Sequence, residues 1–168
     1  TAPLSLYGQS ALLEARGREQ FMLGGYFGVL LFLAGGSLVS ALVYRDRNFA
    51  AFMAYLGGIG AVQLLYLGVG AQHLWTDWPH WNGMAHLVVP GVATAAWLWF
   101  VRAITEPARF SRLLDLACWS LIAALLAAVA VNAFVASRAS FALVTVLLGA
   151  SLPIAALLLV LAWRVGRD

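Results

Sequence analysis

Chemistry-bearing side chains are sparse in this sequence, and most of them crowd into one segment, QHLWTDWPHWN, from Gln72 to Asn82. It sets His73, Asp77 and His80 among Trp75, Trp78 and Trp81. Imidazoles and a carboxylate within eight residues could bind a metal or orient a ligand, and interleaved indoles could stack on it. The metal reading is weak. A structural zinc site takes four ligands, usually as Cys or His pairs, and here the third histidine, His86, stands apart at the start of an apolar run. Axial haem ligands face each other from different elements, whereas two of these three histidines share one loop. No metal and no cofactor is therefore expected. The segment reads instead as a surface that meets an external ligand or signal, with tryptophans anchored at lipid headgroups as the simpler alternative.

Other chemistries fall away by composition. All ten basic residues are arginine, so no lysine amine can form a Schiff base and no phosphate loop of the Walker kind can be built. No Ser/His/Asp set, carboxylate pair or glycine-rich phosphate loop occurs, and catalysis by this chain is not expected. A net charge of +3, scattered along the chain, gives no footprint for nucleic acid. Cys118, the one cysteine, lies in an apolar run and reads as a small hydrophobe. Acids are missing from the depths of those runs, which argues against proton- or ion-coupled transport. Gln63 and Asn132 read as interhelical hydrogen-bond partners.

The elements that must position these residues are written in the hydropathy. Hydrophobic residues make up 63% of the chain and charged ones 10%, with a mean hydropathy of +0.89, whereas soluble domains hold about 25% charged residues. Five apolar runs, at about 21–44, 49–70, 84–101, 113–135 and 141–165, are each long enough to cross a hydrocarbon core as a helix. They lack the alternation of barrel strands, and only a helix or a closed barrel satisfies its backbone in lipid. The expected fold class is an all-α integral membrane bundle of five spans in the lipid bilayer, residues 21–168, after an extracytoplasmic lead-in at 1–20. The start at Thr1, with no charged region and cleavage site, suggests an excised or processed segment.

Arginines orient the bundle. Arg45, Arg47, Arg102, Arg109, Arg112, Arg164 and Arg167 fall on one side, against Arg16, Arg18 and Arg138 on the other. The positive-inside rule then puts the N-terminus out and the C-terminus in the cytoplasm of a multi-pass protein. Gly24 and Gly28, four apart, with Gly57 and Gly58, invite close helix packing, most simply within the chain and otherwise across a homodimer seam. Pro90 and Pro153 interrupt their spans as kinks that a bundle tolerates.

From about Leu13 onward the chain resembles the membrane domain of bacterial seven-transmembrane receptors with diverse intracellular signalling modules. The resemblance rests on Gly25-Tyr26-Phe27-Gly28, on the Arg45-Asp46 turn leading to Tyr55, and on Gly68 through Trp75 followed by Pro79, Trp81 and Asn82. Ser37 departs from the asparagine common in that family, and five spans stand where the family has seven. The resemblance implies a signal-transduction role. It also implies an extracytoplasmic sensor domain, two further spans and a cytoplasmic output module such as a diguanylate cyclase, histidine kinase or phosphatase. A transporter or membrane-complex subunit and a haem-binding bundle are the rival readings.

Overall fold

The structure, a computed structural model, describes residues 9–73, 76, 78–135 and 137–165. Among these, every regular element is helical. Five helices are long and apolar enough to cross a membrane: α1 (Gln9–Tyr44), α2 (Arg47–Tyr66), α4 (Pro79–Thr105), α5 (Arg112–Phe134) and α6 (Arg138–Val165). A five-residue helix, α3 (Val69–His73), follows α2, and a 3₁₀ turn (Pro107–Arg109) joins α4 to α5.

Local chemistry explains the breaks. Asp46 caps α2, its carboxylate accepting from the Asn48 N–H at 2.8 Å, after a left-handed Arg45 reverses the chain. Sequence hydropathy runs the second span on to Gly70, but the helix stops at Tyr66 because Gly68 adopts φ +72°, a conformation only glycine enters without steric penalty. α4, the third of the long helices, starts five residues before its apolar run does. Pro79 occupies its first turn, where the missing N–H is not needed.

α4 is the centre of the bundle. It packs against α2 on one side and α5 and α6 on the other, while α1 leans chiefly on α2. Leu98, Leu125, Val144 and Leu158, all but inaccessible, form the core shared by α4, α5 and α6. On the α2–α4 seam the Tyr55 ring stacks on Phe100 with centroids 5.4 Å apart, and Phe52 meets the same ring at 5.2 Å. Outward faces carry Phe21, Phe32, Leu113, Phe134 and Val146, all largely exposed. That is the surface of a bundle solvated by acyl chains rather than by water.

Glycine use differs from the expected pattern. A Cβ at Gly58 would lie 2.9 Å from the Ala93 Cα, and one at Gly91 would collide with Val129 Cγ2. These two positions let α4 approach α2 and α5. Gly24, Gly28 and Gly57 meet no neighbouring atom among the described residues, so the intrachain contact expected at them is not made there. The reason is rotational: α1 meets α2 through another face, with Leu30 reaching toward Gly60 and Ser37 buried. Pro90 and Pro153 both lie inside their helices, α4 and α6.

Candidate functional site

The arginine-rich end of the bundle carries a charged clasp between α4 and α5. Arg102 stands in the last turn of α4 and Asp115 in the first turn of α5, so each charge opposes the partial charge of its own helix end. The link between them is short and shaped. Glu106 adopts a left-handed conformation that closes α4, the 3₁₀ turn follows around a buried Pro107, and Ser111 caps α5 by accepting from the Leu114 N–H at 3.4 Å. This fold-back sets the helices antiparallel and places Arg102 Nε 2.7 Å from Asp115 Oδ1. One turn further along α5, Trp119 lies under the guanidinium, whose central carbon is 4.8 Å from the ring centroid, a cation–π contact.

Both charged side chains are mostly covered, with 24% of Arg102 and 21% of Asp115 accessible. The two facing atoms are fully shielded, yet neither makes an aligned hydrogen bond. Their attraction is thus Coulombic, without the directional lock of a bidentate pair. Beside it, Glu106 and Arg109 pair three residues apart at the surface, and Cys118 is buried in the core.

The opposite end is closed by a hydroxyl network. Ser137 and Ser140 cap α6 reciprocally, each N–H donating to the other's Oγ at 3.1 Å, in the manner of a capping box. The Ser140 hydroxyl donates to Asn132 Oδ1 at 2.8 Å, which ties α5 to α6. Asn132 therefore has the interhelical partner anticipated for it, while the Gln63 side chain has no hydrogen bond among the described residues. A cavity of about 730 Å³ opens beside this network, lined by Tyr66, His86, Asn132, Arg138 and Phe141 among others.

Of the tryptophan segment, Trp78 precedes α4 and is 68% exposed, and Trp81 is half-buried in the first turns of that helix. Trp75 and Asp77 lie outside the described residues, as do the side chains of His73 and His80. Among the described residues no three of His, Cys, Asp and Glu come together. The clasp escaped sequence reading. Its signal was available: opposite charges thirteen residues apart, each at the mouth of an apolar run and therefore at one membrane depth.

A family model described as 7TM diverse intracellular signalling matches residues 19–168, from the base of the first span through the last helix. The chain belongs to that family. Its membership accords with a helical, membrane-spanning design, that of a transmembrane sensory domain of signalling receptors. No curated protein and no solved structure matches the chain.

Proposed function

We propose that this chain is a transmembrane relay of a receptor in a bacterial inner membrane, with its N-terminus outside and its arginine-rich end in the cytoplasm. The family match over residues 19–168 carries this reading. Arginine partition between the two ends supports the direction. An extracytoplasmic sensor domain and a cytoplasmic output module, a diguanylate cyclase or histidine kinase being the expected kinds, are its partners in signalling, and the chain itself turns over no substrate.

In this reading a signal at the outer end shifts how α4, α5 and α6 pack, and the clasp converts the shift into a different arrangement of the cytoplasmic loops. A relay requires differential contacts in two states. The Arg102–Asp115 pair, which joins the end of α4 to the start of α5, is a contact able to differ between them. The test uses the receptor joined to an output module with a measurable product. Asp115→Asn is expected to change output in the absence of stimulus while leaving the amount in the membrane unchanged, and the reversal Arg102→Glu with Asp115→Arg to restore part of it. Wild-type output and wild-type stimulus response in Asp115→Asn would refute the relay role of the clasp.

A further inference from the structure

Beside the clasp lies a cleft of about 660 Å³, walled by α2 and α4 and by the fold-back into α5, with Arg47, Arg102, Arg109, Trp99 and Trp119 in its lining. We propose that this cleft seats the phosphate of an anionic phospholipid head group. The proposal goes beyond the relay reading and needs only that the bundle sits in a bilayer.

Charge is the first argument. Of the five ionised side chains that line the cleft, Arg102 is offset by Asp115 and Arg109 by Glu106. Arg47 has no carboxylate within ion-pair distance among the described residues, and the neighbouring Asp46, which caps α2, is not in the lining of the cleft. Three arginines against two acids leave one uncompensated positive charge, which matches a head group of net charge −1 and disfavours a zwitterion only weakly bound by dipoles. Basic pockets between membrane helices are the setting in which acidic head groups bind.

Depth is the second argument. Arg47 opens the span of α2 and Arg102 nearly closes that of α4, so the cleft sits where hydrocarbon gives way to phosphate. Trp99 and Trp119 are residues of that same interface. The third argument separates a lipid from a dissolved phosphate. Ala50, Ala103, Ala108 and Pro107 add apolar wall to the cleft. A free anion would use only the arginines, whereas a glycerolipid also covers these apolar surfaces.

The test is retention of phosphatidylglycerol against phosphatidylcholine by the detergent-solubilised chain, read by native mass spectrometry after extraction from vesicles that hold the two in equal amounts. Phosphatidylglycerol is expected to be retained preferentially. Arg47→Gln should weaken its apparent affinity about five-fold, the effect of one cation near a charged membrane surface, and Arg138→Gln at the opposite end should not. Glu106→Gln adds one net positive charge without shortening the side chain and should strengthen retention by a similar factor, so the proposal remains testable if Arg47→Gln folds poorly. Equal retention of the two lipids, or a Glu106→Gln variant indistinguishable from wild type, would overturn it. Inorganic phosphate that displaces phosphatidylglycerol at millimolar concentration and stabilises the chain as well as the lipid does would reassign the cleft to a free anion.

Discussion

Arg102 and Asp115 show how a pair of charges can be kept close to hydrocarbon. Each is stationed at a helix end of favourable sign, and Trp119 replaces water over one face of the guanidinium. Removing one partner of a fully buried pair costs about 3–5 kcal/mol. Because about a fifth to a quarter of each side chain remains accessible, Asp115→Asn or Arg102→Gln should destabilise the bundle by roughly 1–2 kcal/mol. Unfolding in mixed micelles of the two single variants and the double variant would measure this. A coupling energy indistinguishable from zero would mean that the pair contributes nothing beyond its separate members. Legibility at this scale was uneven. Asn132 announced itself as a polar group that needs a partner in lipid, and Ser140 is that partner. The clasp was not read, because a charge at the end of a span already has an explanation as a topology signal.

At the scale of elements, helix ends obey local rules and helix contacts do not. Asp46, Ser111 and the Ser137–Ser140 box stop or start their helices by hydrogen bonds that the residue types foreshadow. Which glycines touch a neighbour depends on rotation about the helix axis. Gly57 and Gly58 adjoin in sequence, yet only Gly58 meets Ala93, and it meets backbone that cannot yield. Gly58→Ala should therefore cost about 1–3 kcal/mol by overpacking. Gly57→Ala, into open space, should be neutral or stabilise by up to about 1 kcal/mol through helix propensity. Thermal unfolding of the two variants side by side checks this, and equal effects would contradict the placement of α2 on α4. At Gly91 the obstacle is a side chain, so Gly91→Ala should be harmful alone and partly rescued by Val129→Ala.

For the whole molecule, the spans and the arginines together make a directional prediction. With Cys118 replaced by alanine, a single cysteine at position 138 should react in intact cells with a membrane-impermeant thiol reagent, whereas one at position 109 should react only after the membrane is opened. Labelling at 109 from outside would invert the proposed topology. The bundle is also unevenly consolidated. α4, α5 and α6 share a core, while α1 has one principal neighbour and a glycine-bearing face at Gly24 and Gly28 that packs on nothing among the described residues.

The sequence by itself determined that the chain is a set of apolar helices, how many can cross a membrane and roughly where each begins. In hydrocarbon the backbone must satisfy its own hydrogen bonds, so length and hydropathy alone dictate the element. The order and spacing of a few glycines, aromatics and one Arg-Asp turn were enough to indicate the family. What only the tertiary structure decided is which faces meet: Gly58 and Gly91 rather than Gly24 and Gly28, Arg102 against Asp115, and a cleft walled by three helices. In a soluble protein the buried face of a helix is marked by its contrast with a polar one. Here the lipid-facing and the packed faces are both apolar, and close fit of small residues, not exclusion of water, chooses between them. Periodicity therefore carries almost no information about rotation, and the contacts that make a site emerge only when the helices are brought together.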